Sequence, residues 1–344
     1  MSEEIKAEPE KARLLWLQSS PHIASPVNVQ VIMTRVLIAL TPASVFGVVI
    51  FGINALLTIA VAVSSAIVGE ALFRRAVKRE SHLKDLSACV TGLLLALVIP
   101  PSTPLWMTAL GSIFAVVVAK EFFGGLGANV FNPALAGRAF MLMSFPAAMT
   151  TWLNPAQSGS LFRPDGGTGA TPLGALKEGA ANLPVEQALG YAGTPEMYKE
   201  LFLGFHGGCI GETSILLLLA GGFYLLFTKT IDWRAPAGML GSAVVFSAAF
   251  GMDPVFALLS GGLVLGALFM ATDYTSAPVT ETGKLIFGAG AGLIVILIRK
   301  FGAYPEGVMF GILIMNAAVP FLNKILHKKY GYVKPKKTAK GGAK

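Results

Sequence analysis

The stretches "PPSTPLWMTALGSIFAVVVAKEFFGG" (Pro100–Gly125) and "SAPVTETGKLIFGAGAGLIVILIRKFGA" (Ser276–Ala303) carry the same succession of features. Each has an entry that contains proline, then an apolar helix that contains glycine, then two charged residues followed by Phe and Gly. "NPALAG" (Asn132–Gly137) follows the first stretch, and "NAAVPF" (Asn316–Phe321) follows the second. This similarity indicates an internal repeat. The alternative is a chance likeness between glycine-rich apolar helices.

The composition places these stretches in a membrane. The chain has 344 residues, of which 54% are hydrophobic and 13% are charged. Soluble domains are roughly 25% charged and do not hide this much apolar surface. The 39 glycines are spread through the apolar runs, which is typical of membrane helices whose backbones approach closely. We therefore expect an all-α integral membrane protein.

About ten apolar segments are long enough to be candidate membrane spans, since about 20 residues cross a bilayer. They are Val31–Ile50, Ile53–Phe73, Leu86–Pro101, Leu105–Ala119, Ala128–Met149, Gly207–Thr228, Gly238–Gly251, Val255–Ala271, Leu285–Ile298 and Gly307–Leu322.

Charge then orients the spans. Residues 1–30 are polar and lack a signal-peptide cleavage pattern, so we expect them in the cytoplasm. The loop after the second span is basic, as the positive-inside rule requires of a cytoplasmic loop. Its basic residues are Arg74, Arg75, Lys78, Arg79 and Lys84. Residues 324–344 hold eight of the 27 Lys and Arg residues and no acids. Such a tail is attracted to anionic lipid and does not indicate nucleic-acid binding.

These assignments predict five regions. They are a cytoplasmic segment (1–30), a first membrane half (31–150), an extracytoplasmic loop (151–205), a second membrane half (206–323) and a basic cytoplasmic tail (324–344). The two repeat copies begin on opposite faces, as in inverted five-helix repeats whose broken helices meet near the midplane. We expect breaks in Phe123–Phe140 and His206–Ser214. Arg299 and Lys300 fall outside, against the positive-inside rule, so charge fixes the late spans least well.

Two charged residues fall inside predicted spans. A charge near the bilayer centre costs about 2.5–3.5 kcal/mol, so Arg138 and Glu212 each need a partner, a cavity or the interface. They are candidates for a cofactor site or an ion path, with lipid headgroups as the alternative partners. Glu70 is expected at the interface, and Lys120 is expected to pair with Glu121 at the inner face.

The two cysteines, Cys89 and Cys209, each stand alone in an apolar segment. Neither a metal-binding pair nor a disulfide scaffold is indicated, so the sequence assigns no metal site. It also assigns no catalytic residue.

The stretch "DGGTGATPLGAL" (Asp165–Leu176) interrupts the apolar chain. It is no phosphate-binding Walker loop, because no GK[ST] follows. Gly169 and Ala170 clear space beside Thr171, so a modifying enzyme can take up this segment and its solvent-facing hydroxyl. An ordinary surface turn is the alternative, since Gly and Asp are turn formers.

The segment resembles Asp-x-x-Ser/Thr-Gly-Ala-Thr, the pattern on which flavin transferases attach FMN through its phosphate to the last threonine. Asp165, Thr168, Gly169, Ala170 and Thr171 match it without departure. The motifs "SSPHI", "GGLGANVFNPALAGRAF", "DGGTGATPLGALK", "GGCIGETS" and "FMATDYTSAP" occur in the order typical of one family. The chain thus resembles the NqrB/RnfD family, which comprises a membrane protein of the Rnf complex and its paralogue in the Na⁺-translocating NADH:quinone reductase.

The resemblance implies an electron-carrying membrane subunit of a ferredoxin:NAD⁺ oxidoreductase that moves Na⁺ or H⁺. It implies covalent FMN on Thr171, on the outer side of a prokaryotic cytoplasmic (inner) membrane. Arg138 and Glu212 stay candidate cofactor-binding residues on the ground of their charge alone. The implied partners are the A, B, C, E and G subunits of the Rnf complex and a flavin transferase. The quinone-reductase paralogue and a urea- or ammonium-type channel stay open as alternatives, as does a second, non-covalent flavin such as riboflavin.

Overall fold

The computed structural model describes residues 27–79, 83–153, 168–169, 171–174, 195–204, 206–302, 304 and 306–325. Asp165 and Ala170 of the flavinylation motif, most of residues 1–30 and most of the basic tail lie outside the described residues. The described part is mainly helical. Its α-helices are α1 (Val29–Phe51), α2 (Ile53–Ala76), α3 (Ser87–Leu97), α4 (Leu105–Ile113), α5 (Pro133–Ser144), α6 (Pro146–Met149), α7 (Pro195–Leu203), α8 (Ile215–Phe227), α9 (Arg234–Ala249), α10 (Pro254–Leu259), α11 (Leu263–Leu265), α12 (Glu281–Phe301) and α13 (Val308–Ile325).

Among the described residues, four helices are long and apolar enough to cross a membrane: α1, α2, α12 and α13. Helices α3 and α8 are apolar but shorter. Several predicted spans are thus interrupted instead of continuous. Two α-helices continue as wider π-helical turns, α4 through Phe114–Glu121 and α11 through Gly266–Met270.

Irregular backbone interrupts the chain at the two predicted places. After the π-helical turn the chain is not helical again until Pro133, where the Asn132 side chain accepts a hydrogen bond from the Leu135 N–H. In His206–Ser214 a single 3₁₀ turn, Ile210–Glu212, precedes α8. A further break at Ser260–Gly262 was not predicted, because its two glycines lie in an apolar run. Gly261 and Gly262 both have positive φ values, +63° and +65°.

Small residues let the helices pack backbone against backbone, as the glycine content predicted. A Cβ added at Gly238 of α9 would lie 2.6 Å from the carbonyl oxygen of Leu285 in α12. A Cβ added at Gly288 would overlap the carbonyl oxygen of Ala235. Neither position has room for a side chain, so glycine sets the distance between these helices.

Contacts between the connecting segments define two ends of the molecule. At one, here called the Asn129 end, Asn129 donates to Asp273 at 3.5 Å, and Lys284 pairs with Asp232 at 3.0 Å. At the other, here called the Thr171 end, the Ser102 hydroxyl donates to the Thr151 carbonyl at 2.5 Å.

A buried ion cluster joins α2 to the π-helical turn. Lys120 Nζ contacts Glu70 Oε2 at 2.8 Å and the Ser87 hydroxyl at 2.6 Å, whereas Glu121 pairs with Arg74 at 3.0 Å. The predicted Lys120–Glu121 pair is therefore wrong, and Glu70 is fully buried instead of facing headgroups. The reason is that opposite charges on two packed helices satisfy one another in the interior, where no water is available.

Candidate functional site

Thr171 begins a helical turn at the Thr171 end. Pro172 follows it, and Thr171 Oγ1 accepts a hydrogen bond from the Gly174 N–H at 3.0 Å. Leu173 packs against Leu201 and Phe256, which holds the turn against the protein. Thr171 is consequently only 4% exposed. The prediction that its hydroxyl faces solvent is wrong for this conformation, because the hydroxyl caps the turn.

A two-stranded antiparallel ladder ties the motif to the first half of the chain. Strand β1 (Trp152–Leu153) pairs with β2 (Thr168–Gly169), with Trp152 opposite Gly169 and Leu153 opposite Thr168. Thr171 follows β2 by two residues. The pairing therefore holds Thr171 close to the end of the segment that follows α5 and α6.

Trp152 also lines a small cavity of about 40 Å³. The other lining residues come from α5, α6 and the chain around α13, and they include Arg138, Thr150, Tyr304, Glu306 and Phe310. The cavity combines aromatic walls with one guanidinium and one carboxylate. Apolar walls with a few convergent polar groups are typical of cofactor pockets.

The predicted site residue Arg138 is buried at the edge of this cavity. Its guanidinium forms an ion pair with Glu306 and lies 3.7 Å from the Cys209 sulfur. The expectation that Arg138 has a partner is met by protein groups. Glu306 was missed from the sequence, because it falls in a short polar connection before the last helix and nothing in its neighbours marks it as buried.

The predicted site residue Glu212 lies in the same region. It is 5% exposed, and a carboxylate oxygen of Glu212, a carboxylate oxygen of Glu306 and the Cys209 sulfur all lie within 4.8 Å of one another. The structure thus brings Arg138 and Glu212 into one polar cluster through Glu306. His206 lies near this cluster, on the same irregular segment.

A second cavity of about 80 Å³ opens at the Asn129 end, between the helices. Its lining includes Ser87, Lys120, Asn129, Asn132 and Asp273. The Asn132 side chain, which caps α5, also donates to the Met270 carbonyl at 3.2 Å. This cavity offers a buried cation and several amide and hydroxyl groups.

Comparison with known proteins agrees with this architecture. Residues 16–331 match the model of the NQR2, RnfD, RnfE family. The chain is 44% identical to the D subunit of the proton-translocating ferredoxin:NAD(+) oxidoreductase complex of Clostridium ljungdahlii, over 91% of this chain and 95% of that protein. It is 42% identical to the D subunit of the Na(+)-translocating ferredoxin:NAD(+) oxidoreductase complex of Acetobacterium woodii, over 95% of this chain and 98% of that protein.

The apolar helices, the interrupted spans and the buried polar clusters define a multi-pass membrane protein. The match over most of its length shows that the chain belongs to the NQR2, RnfD, RnfE family.

Proposed function

We propose that this chain is the electron-carrying membrane subunit of an ion-translocating ferredoxin:NAD⁺ oxidoreductase complex, with FMN attached to Thr171 as a phosphoester. The observation that carries the proposal is the complete motif from Asp165 to Thr171 in a chain whose relatives bear the names of such subunits. The quinone-reductase paralogue and a channel are the less favoured alternatives. A channel has no need of this motif.

The surroundings of Thr171 fit a phosphoester. The only hydrogen bond described for the Thr171 hydroxyl is one that its oxygen accepts from Gly174, and an ester oxygen can still accept a bond. Gly169 and Gly174 flank the threonine without bulky side chains. A transferase must open the turn to reach the hydroxyl, and the turn depends on one short helical segment and the Leu173 contacts.

The cavity beside β1 is the place we assign to the flavin ring. When bound, FMN supplies one- and two-electron transfer. Trp152, Tyr304 and Phe310 offer aromatic surface for a planar ring, and Arg138 offers a positive charge. Attachment through the phosphate keeps the cofactor at a high effective concentration near this cavity.

We further propose that the Thr171 end faces the outside of a prokaryotic cytoplasmic membrane and that both chain termini lie in the cytoplasm. Support comes from the basic residues at the Asn129 end, which the positive-inside rule places in the cytoplasm. They include Arg35, Arg74, Arg75, Lys78, Arg79, Lys229, Arg234 and Lys284. We propose for the five regions 1–30, 31–150, 151–205, 206–323 and 324–344 the roles given in the sequence analysis.

The inverted repeat is part of the proposal. Lys120, at the end of the first copy, contacts the hydroxyl of Ser87. Arg299, at the matching place in the second copy, donates to the carbonyl of Ser260 at 2.8 Å. In the first half, the cation Lys120 contacts a serine at the start of α3. In the second half, the equivalent cation Arg299 contacts a serine between α10 and α11. This correspondence supports two five-helix halves of opposite orientation.

The cavity at the Asn129 end is our candidate place for a second, non-covalent flavin such as riboflavin. Its lining is mainly apolar with a few polar side chains, as in small-molecule sites, and Asn129 and Lys120 can bond to ring heteroatoms. A redox cofactor would then lie at both the Thr171 end and the Asn129 end of the molecule. The A, B, C, E and G subunits of the Rnf complex would be the neighbouring carriers, and Na⁺ or H⁺ the transported ion.

The decisive experiment is in-gel ultraviolet fluorescence of the denatured protein, because only a covalent flavin survives denaturation. The wild-type chain and Thr168→Ser should fluoresce, whereas Thr171→Ala should be dark and still assemble. Thr168→Ser is the matched control, since the pattern allows either serine or threonine at this position. A flavin mapped by peptide mass to Thr168, or a dark native protein, would refute the attachment we propose.

A further inference from the structure

A compact polar cluster lies in the interior near the Thr171 end, apart from Thr171 itself. Cys209, Glu212 and Glu306 each direct one atom into a space where the three atoms lie within 4.8 Å of one another. Glu212 comes from the 3₁₀ turn before α8, and Glu306 from the connection before α13. Two distant parts of the chain therefore meet at this point.

The polar groups of this cluster differ in the ion pairs and hydrogen bonds that they form. Arg138 neutralises Glu306 through their ion pair. The Cys209 thiol donates to the Val98 carbonyl at 3.2 Å, so it keeps its proton and adds no charge. Glu212 is 5% exposed, and its Oε1 has no hydrogen-bond partner among the residues that the structure describes. Oε1 of Glu306 is also buried and has no hydrogen-bond partner among the described residues.

Two further groups face Glu212 from neighbouring segments. Arg299 of α12 lies across the Gly261–Gly262 turn, where its guanidinium donates to the carbonyls of Ala257, Ser260 and Gly261. His206 lies beside Gly208, on whose other side is the Glu212 carboxylate. Arg299 is thus engaged by backbone oxygens, and Arg138 by Glu306. Neither group donates a described hydrogen bond to Glu212.

A buried carboxylate oxygen without a hydrogen-bond donor is costly, and it is stabilised by a bound cation. We propose that Glu212, together with Glu306, binds one small monovalent cation, a proton or Na⁺. The guanidinium groups of Arg138 and Arg299 already lie near the two carboxylates, so a monovalent cation suits this region better than a divalent one. The hydrogen-bonded thiol of Cys209 is no thiolate, which argues against zinc. The proposal rests on the proposed function in one respect: the cation bound at this site is taken to be the transported ion.

The test is infrared difference spectroscopy of the purified protein in lipid nanodiscs. The first comparison replaces choline chloride by NaCl at constant ionic strength, and the second changes the pH without Na⁺. Na⁺ binding shifts the carboxylate bands, whereas a bound proton gives a carboxylic acid band that disappears as the pH rises. We expect one of these two responses in the wild type, and it identifies which cation is bound.

Glu212→Gln should abolish the response, and Glu281→Gln should retain it. Glu281 is the matched control, because it is an exposed acid on another surface, paired with Arg234. If Glu212→Gln does not fold, Glu306→Gln provides the same comparison. Wild-type and variant spectra that respond alike to both changes would overturn the proposal. The Thr171→Ala protein should keep the response, so a failure of flavin attachment and a failure of the cation site are separate results.

Discussion

Arg138 of α5 is ion-paired with Glu306, which lies 168 residues further along the chain, in the connection before the last described helix. The pair borders the cavity that also contains Trp152. Two halves of the molecule are thereby joined beside the proposed flavin. The negative charge of the Glu306 carboxylate partly offsets the positive charge that Arg138 presents to the cavity.

The first prediction concerns the midpoint potential of the covalent flavin. Arg138→Met should lower the potential, because it removes a positive charge and exposes the negative charge of Glu306 to the cofactor. Arg138→Lys keeps the charge but loses the planar guanidinium, so it should lower the potential less. Shifts of tens of millivolts are expected, since a tenfold change in equilibrium constant is about 30 mV for a two-electron couple. Redox titration of the purified variants measures them.

The control for this prediction is the double variant Arg138→Met/Glu306→Gln. It removes both charges at once and should return the potential toward that of the wild type. If all three variants are flavinylated and share the wild-type potential, Arg138 has no electrostatic role at the cofactor and only links two segments.

The second prediction concerns the orientation of the chain. In a background in which Cys89 and Cys209 are replaced by serine, Thr151→Cys should react with a membrane-impermeant thiol reagent in intact cells. Thr151 is exposed at the Thr171 end. Arg79→Cys, exposed at the other end, is the control and should react only after lysis. The reverse pattern would place Thr171 in the cytoplasm, out of reach of an extracytoplasmic transferase.

The third prediction concerns the buried ion cluster. Lys120→Met should lower the free energy of unfolding by up to about 3–5 kcal/mol, because it removes the nearer of the two cations that contact the fully buried Glu70 and leaves only Arg74, at 3.5 Å. The double variant Lys120→Met/Glu70→Gln should recover much of this loss, since no unpaired charge remains. Thermal unfolding in detergent measures both. Equal losses in the single and double variants would show that packing, and not charge, dominates at this site.

The fourth prediction concerns helix contact. A Cβ at Gly92 of α3 would lie 2.7 Å from the Ala62 carbonyl oxygen of α2. Gly92→Ala should therefore lower the free energy of unfolding by about 1–3 kcal/mol through overpacking. Gly241→Ala is the control: it lies on the exposed side of α9 with open space around it and should be neutral or stabilising by up to about 1 kcal/mol. A loss that is equal at the two sites would rule out close helix contact as the cause.

Some of these features could be predicted from the sequence because their signals are local. The predicted irregular stretches contain glycine, proline and asparagine, and the flavinylation motif is contiguous. Arg138 and Glu212 stood out because a charge in an apolar run is costly. The ion-pair partners of these charged residues could not be predicted from local signals. Glu306 lies in a polar connection that carries no sign of its role. Lys120 forms an ion pair with Glu70 and not with its neighbour Glu121, because tertiary packing decides which charges meet. The burial of Thr171 likewise depends on Leu201 and Phe256, which are distant in sequence.

The π-helical turn at Phe114–Glu121 has a consequence for how this stretch of the gene can vary. Lys120 and Glu121 are adjacent in sequence and yet both buried, although neighbours in an α-helix point about 100° apart. The wider turn accommodates one extra residue. Deleting one codon here would restore a regular helix and rotate Lys120 away from Glu70, toward lipid. Exchanges of one apolar residue for another keep the register. This segment should accordingly tolerate changes of side chain much better than changes of length.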